Sequence, residues 1–331
     1  MIITRTPFRI SFFGGGTDYP AWYRQHGGAV LATTINKYCY ITCRRLPPFF
    51  SHKHRIVYSR IENVHHNDEI EHPAVRAVLN WASISEGLEI HHDGDLPARS
   101  GLGSSSAFTV GLVHAMYGLR GHMASRDVLA KDAIHIEQNI IGENVGSQDQ
   151  VSAAYGGLNK IEFQCDDSFN VAPVMLPSQR RKDLHDHLML CFTGFSRIAD
   201  EIAKSKIENL KAREPQVRRM REMVDEGIAI LSDGQTDISE FGKLLAESWA
   251  LKRGLSNRVS TTEIDDIYEA AMAAGAVGGK ILGAGGGGFM LLFARPEDQP
   301  AIRERLKGLV HVSFNFDESG SRVVLYQPNG L

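Results

Sequence analysis

Two α+β domains are predicted, and three observations predict them. The chain is 331 residues long, which suits about two domains. Its strand-like and helix-like runs are mixed without the strict alternation of a doubly wound sheet. The glycine-rich stretch Gly283–Gly288, although it matches G-x-G-x-x-G, opens the apolar run Phe289–Phe293. A dinucleotide fingerprint must open a helix and carry an acid about 20 residues on, so this one reads as a strand–loop–strand hairpin.

In chain order, Ile2–Phe13 alternates loosely and reads as a strand broken by Pro7. Gly14, Gly15 and Gly16 follow beside Asp18, more glycines than a plain turn needs. A short helix is expected over Pro20–His26. Gly28–Ile35 and Tyr38–Arg45, rich in Val, Ile, Thr, Tyr and Cys, read as two strands, and Arg55–Arg60 as another. His65–His72 is a loop, and Pro73 starts a helix to about Ser85. Leu88–His92 is a strand. A helix is expected after Ser106 and a second over Ser125–Ile141, with Ser125 as its N-cap. Gly142–Ala154 is a loop and short helix, Leu158–Phe163 a strand, and Cys165–Asn170 a turn. The charge-dense stretch 176–186 marks a domain boundary, giving domains 1–180 and 181–331. Leu188–Phe192 opens the second half as a buried strand. Three or four helices run to Ala274, and strands at Gly275–Leu282, Phe289–Ala294, Val310–Phe316 and Arg322–Tyr326 surround a helix at Pro296–Leu306.

Composition narrows the class. Hydrophobic residues make up 43%, enough for ordinary cores, and the net charge of −3 gives no reason to expect nucleic acid as a partner. Cys39, Cys43, Cys165 and Cys191 show no disulfide-framework spacing and suit a reducing compartment. Neither a signal sequence nor an apolar run long enough to span a bilayer is seen, so a cytoplasmic protein without a membrane partner is expected. The histidines cluster but lack zinc-site spacing and read as loop and surface residues.

The stretch from Asp95 to Phe108 carries the chemistry. Pro97 sets an extended approach, Gly101 and Gly103 flank Leu102, and Ser104, Ser105 and Ser106 lead into an apolar helix. Alone, it reads first as a serine-capped core helix. Its unpaired first-turn N–H groups and the helix dipole also make an anion site. No Gly-Lys-Ser/Thr follows Gly103, so it is not a Walker A loop. Glu137 and Asp149 would suit phosphoryl transfer, one holding Mg²⁺ and the other handling a hydroxyl proton, although most of the 39 acids must be surface residues.

Three segments in order, Pro7–Tyr19, Pro97–Ala107 and Lys280–Phe289, together with Asp149–Gln150, resemble the GHMP kinases over the whole chain. The resemblance implies a GHMP kinase fold: a domain like the second domain of ribosomal protein S5, then a ferredoxin-like α+β domain. It implies a phosphotransferase using ATP and Mg²⁺. Pro97, Arg99, Gly101, Leu102, Gly103, Ser104, Ser105 and Ser106 would hold the nucleotide phosphates. Ser105 and Glu137 would hold Mg²⁺, and Asp149 with Arg9 would be catalytic. Gly15, Gly16, Thr17, Asp18, Arg197, Gly285 and Gly286 would face the acceptor.

Where galactokinases carry Glu-His, this chain has Gly15 and Gly16, which opens the pocket. The segment Phe8–Pro20, with Thr193–Arg197, most resembles D-glycero-D-manno-heptose 7-phosphate kinases. These make the 1,7-bisphosphate on the way to nucleotide-activated heptose for surface polysaccharide. A sugar phosphate needs a cationic subsite, for which Arg197, Lys37, Arg44 and Arg99 are candidates. The alternatives are another sugar-1-kinase such as an L-fucose kinase, an ATP-dependent decarboxylase, and a non-catalytic sugar sensor. The expected partner is a small sugar phosphate, with a homodimer as a possible assembly.

Overall fold

The structure, a computed structural model, describes residues 1–195 and 199–328. It opens on β1 (Ile2–Phe13), which Pro7 does not break; the strand takes a register shift between Pro7 and Phe8 and continues. Proline lacks only one donor, and a bulge absorbs that loss. After α1 (Pro20–His26) comes β2 (Gly28–Arg45), one strand of 18 residues where two were expected. Its length has a tertiary reason. One edge pairs with β1 along nearly its whole length, while its two halves find different partners on the other edge.

The expected strand at 55–60 is a hairpin, β3 (His54–Val57) and β4 (Ile61–Val64). α2 (Pro73–Trp81) has Pro73 in its first turn and His72 as its cap, whose Nδ1 accepts from Val75 N. β5 (Leu88–Gly94) pairs with residues 39–45 of β2. α3 (Ser104–Leu119) packs on β1 and β2. α4 (Arg126–His135) is capped by Ser125 as expected, but its continuation, Ile136–Ile141, is π-helical. α5 (Gln148–Tyr155) leads to β6 (Asn159–Phe163), which pairs with residues 28–32 of β2. β7 (Phe169–Pro173), not foreseen from the sequence, pairs with β6.

The charge-dense stretch expected as a domain boundary is a helix, α6 (Ser178–Asp186). Leu184 is its one buried residue, so no apolar stripe announces it. Polar side chains dock it instead: Arg180 Nη2 donates to Ile230 O (2.6 Å) and Thr236 O (2.8 Å), and His185 Nε2 lies 2.8 Å from Phe314 O.

The remainder runs β8 (Leu188–Phe192), α7 (Ala199–Asn209), α8 (Glu214–Ser232), α9 (Ser239–Arg253), α10 (Thr262–Ala273), β9 (Ala276–Ile281), β10 (Phe289–Ala294), α11 (Gln299–Arg305), β11 (Val310–Val312), β12 (Phe316–Asp317) and β13 (Arg322–Tyr326). Four of these strands form an antiparallel sheet in the order β11-β8-β10-β9, the ferredoxin-like arrangement. The other two, β12 and β13, return to the first sheet, where β13 pairs with β1 and β12 with β2. The chain therefore crosses the 180/181 division again near its end. One apolar core joins both sheets: Phe12 and Phe13 meet Phe241 at 5.4 and 5.0 Å between ring centroids, and Phe241 meets Phe293 at 6.1 Å.

Candidate active site

A cleft of about 240 Å³ opens between the halves. Its first wall is the start of α3. The N-cap is not a serine but Gly103, left-handed at φ 74°, and no side chain caps this end. The three serines fill the first helical turn. Ser104 Oγ accepts from Arg99 N at 3.0 Å, which curls the preceding loop over the helix end, and Ser105 lines the cleft. Uncapped N–H groups and the helix dipole make this wall a site for anionic oxygens.

The second wall is a glycine-on-glycine contact. Phe289 N donates to Ser100 O at 2.9 Å, joining the C-terminal loop to the first. A Cβ on Gly101 would lie 2.5 Å from Leu282 O, and one on Gly283 2.5 Å from Gly101 Cα. Both positions have positive φ, 85° and 69°, so neither the space nor the backbone admits another residue. This explains the tight glycine spacing without any dinucleotide.

At the bottom, Arg9 and Asp149 form a two-pronged ion pair. Arg9 Nε donates to Asp149 Oδ1 (2.8 Å) and Nη2 to Oδ2 (3.0 Å), while Nη1 donates to Gly101 O (2.7 Å). The Arg9 side chain is 4% exposed and that of Asp149 25%, so the carboxylate faces the cleft from a buried anchor. Beside it, Asp18 is buried and accepts from Gly16 N (2.8 Å) and Gln148 Nε2 (2.9 Å). Burial raises its pKa more than these bonds lower it.

Glu137 sits behind the helix start. The π-helical turn carries it inside, where Ser106 Oγ donates to its Oε2 at 2.8 Å and Gln150 Nε2 donates to the same oxygen. Burial pushes its pKa up to about 7. Its other oxygen, Oε1, is buried without a partner. A carboxylate bonded by the Ser106 hydroxyl, with the Thr109 side chain also acting on it and one oxygen left over, fits a Mg²⁺ ion, which takes one or two carboxylates and draws its other ligands from phosphate and water. Among the described residues no three His, Cys, Asp or Glu side chains cluster as an all-protein metal cage. Ser106 supplies a hydroxyl bond to Glu137, while Ser105, expected on Mg²⁺ with Glu137, lines the cleft.

Several expected residues lie elsewhere. Thr17 is fully buried, its hydroxyl oxygen 2.8 Å from both Gly14 O and Ala29 O and accepting from Ala29 N, so it shapes the turn rather than facing the cleft. Gly285 and Gly286 turn away against Val259, with Gly286 N donating to Val259 O at 2.8 Å; Gly283 and Ala284 line the cleft in their place. Leu102 is buried, and its carbonyl accepts from Arg9 N at 3.0 Å. Pro97 is exposed outside the cleft lining, whereas Arg99, Gly15 and Gly16 are part of it. Arg44 pairs with Glu89, and neither it nor Lys37 reaches the cleft. Arg197 lies outside the described residues.

Sequence reasoning missed three lysines. Lys206, Lys252 and Lys280 line the cleft, all at most 5% exposed. Lys252 Nζ donates to Ile281 O and Gly283 O (both 2.7 Å), bracing the second glycine loop. Lys280 Nζ donates across the halves to Phe12 O at 2.7 Å. Burial holds Lys280 down to about 7, Lys206 to about 8, and Lys252 well below its ordinary range. The one signal available was the place of Lys280, just before the Gly283–Gly288 loop on a strand otherwise free of charge.

Such a site positions and neutralises: an anion wall, a cleft-facing carboxylate held by a guanidinium, and a second buried carboxylate for hydroxyls. These are the requirements of phosphoryl transfer to an alcohol. The family models agree. Residues 70–157 match the GHMP kinases N terminal domain and residues 229–311 the GHMP kinases C terminal domain. The chain belongs to the GHMP kinase family and is a phosphotransferase that acts on a sugar hydroxyl.

Among its relatives is the D-glycero-alpha-D-manno-heptose 7-phosphate kinase of Campylobacter jejuni, 29% identical with 96% of this chain and 97% of that one aligned. The bifunctional fucokinase/GDP-fucose pyrophosphorylase of Arabidopsis thaliana is 26% identical over 91% of this chain, but over only 30% of its own length. The crystal structure of a D-glycero-D-manno-heptose 1-phosphate kinase from Bacteriodes thetaiotaomicron shares the fold, with a TM-score of 0.79, 22% identity and 98% of both chains covered.

Proposed function

We propose that this kinase uses ATP and Mg²⁺ to phosphorylate the anomeric hydroxyl of D-glycero-D-manno-heptose 7-phosphate, giving the 1,7-bisphosphate. The cell would use the product in the cytoplasm to make nucleotide-activated heptose for surface polysaccharide. The observation that carries the reading is the cleft-facing Asp149, clamped by Arg9 directly beneath the uncapped start of α3. The full-length similarity to a heptose 7-phosphate kinase and the open Gly15–Gly16 corner support the acceptor.

Each residue then has a task. Asp149 accepts the proton of the attacking hydroxyl, or holds that hydroxyl in line, and Arg9 keeps the carboxylate oriented. Asp18 accepts from sugar hydroxyls. The N–H groups and hydroxyls of residues 104–106 hold the transferring and leaving phosphate oxygens. Glu137 Oε1, with the neighbouring serine hydroxyls, would hold Mg²⁺, whose charge offsets that of the phosphates.

The test is ADP release with heptose 7-phosphate, heptose 1-phosphate, L-fucose, galactose, mannose and mevalonate. Turnover is expected with heptose 7-phosphate, and ³¹P NMR of the product should show a new anomeric phosphate. Turnover with L-fucose alone would replace this reading with the fucose kinase one, to which the similarity with the plant fucokinase points.

A further inference from the structure

Of the five cations that line the cleft, Arg9, Lys206, Lys252 and Lys280 are buried and face Asp18 and Asp149; exposed Arg99 and half-buried Glu143 complete the charged lining. Three of the buried cations have partners inside the protein. Arg9 holds Asp149 and Gly101 O, Lys252 holds Ile281 O and Gly283 O, and Lys280 holds Phe12 O. Lys206 differs. Its side chain is 4% exposed, yet among the described residues its ammonium has no hydrogen bond or ion pair. Its recorded neighbour is the face of the Tyr19 ring, 5.3 Å away.

A buried charge without a partner is unfavourable unless something else supplies one. A phosphate group on the bound sugar would supply that partner. Place favours the acceptor's phosphate over the nucleotide's. Lys206 stands on α7 with its ammonium over the Tyr19 ring, facing Asp18 as well as Asp149 in the cleft that Gly15 and Gly16 also line. The anion wall for a triphosphate is the separate start of α3, residues 101–106. We propose that Lys206 binds the non-reacting phosphate of the acceptor sugar and makes this enzyme selective for phosphorylated sugars. The inference rests on the sugar-phosphate kinase reading above and names the residue that enforces it. Tyr19 supports the ammonium from below, and the missing side chains at Gly15 and Gly16 leave room for the longer substrate.

The site should weaken in alkali. The groups facing Lys206 are Asp18, Asp149, Arg9, Lys252 and Lys280, with Tyr19 beneath it. Burial lowers its pKa to about 8, and the two carboxylates only partly restore it. A bound dianion favours the charged form, so affinity for the sugar phosphate falls as pH rises above about 8.

The experiment compares kcat/KM for heptose 7-phosphate and for unphosphorylated heptose in the wild type and in Lys206→Met. The wild type is expected to favour the phosphorylated sugar, and the variant to lose roughly 10- to 100-fold on that sugar alone, as removal of a charged hydrogen bond does. Its KM for ATP stays within about threefold. Equal losses on both sugars, or a raised KM for ATP, would overturn the assignment and place Lys206 on the nucleotide. A wild type that prefers the unphosphorylated sugar fells the sugar-phosphate reading itself, a pattern distinct from a preference that survives the substitution. Peptide mapping after brief acetylation of the wild type at pH 8 needs no variant. Mannose 6-phosphate should protect Lys206 where mannose does not, and equal labelling with both would also overturn the proposal.

Discussion

Asp149 and His72 make separable predictions at the scale of single residues. Asp149→Asn keeps a hydrogen-bonding group for Arg9 but removes the proton acceptor; kcat should fall by about 10²–10⁴ while the melting temperature changes little. Asp149→Ala leaves Arg9 buried without its carboxylate, so it should unfold at a lower temperature than Asp149→Asn. Enzyme assays with thermal melts check both, and near-wild-type turnover by either variant would remove Asp149 from the chemistry. His72 concerns pH. Stacked on Phe108 at 4.7 Å and accepting from Val75 N, it is held neutral, its pKa lowered by burial to about 4. The unfolded chain takes up this proton near pH 6.5 and the folded one only near 4. Its contribution is therefore complete above pH 6.5 and lost as pH falls towards 4, by at most about 1.4 kcal/mol per pH unit. His72→Asn can still cap α2 but cannot titrate, so urea melts between about pH 7 and 4.5 should show a shallower loss of stability. An unchanged slope would mean the ring titrates normally.

The two glycine loops decide the behaviour of elements. Gly101 and Gly283 meet backbone to backbone, so a methyl group on either must push the loops apart. Gly283→Ala is expected to raise the KM for ATP at least about tenfold and to lower stability, since overpacking of this kind costs about 1–3 kcal/mol. Gly121→Ala supplies the control. It has the same φ of 69° but nothing nearer than Tyr326 Oη at 3.8 Å, so it should show the backbone strain while leaving the KM for ATP alone. Equal effects from both would mean strain, not contact, sets the loop. Element boundaries show what local sequence signals could carry. Pro73 and Ser125 marked helix starts because capping is local. The serines at 104–106 misled, because the left-handed Gly103 took the cap position and moved them into the helix. α6 was hidden because charged side chains docking on distant carbonyls leave no periodic pattern.

For the whole molecule, the returning strands matter most. β13 covers the free edge of β1, and Phe314 joins a core that already holds Phe12, Phe13, Phe241 and Phe293. The two halves should therefore unfold together, with one calorimetric transition. A fragment of residues 1–180 would expose the edge of β1 and lose the aromatic partners of Phe12 and Phe13, so it should fail to melt cooperatively. Two transitions, or a stable 1–180 fragment, would show that the halves are independent.

The sequence by itself determined the α+β class, the order of the main elements and the three glycine segments; Arg9 and Asp18 were marked only by the resemblance to the GHMP kinases, and Glu137 and Asp149 by both their own residue type and that resemblance. Those features are legible because strand periodicity, caps and close backbone approaches each demand particular residue types at short range. Only the tertiary structure decided which residues share the cleft. It joined Arg9 to Asp149 across 140 positions, gave Glu137 to Ser106, and turned Thr17, Gly285 and Gly286 away. It also brought Lys206, Lys252 and Lys280 together, from one helix, another helix and a strand. In the sequence Lys206 and Lys252 are lysines among many and only Lys280 stands apart by its place, because the burial that distinguishes all three arises only once the two halves close on a common core.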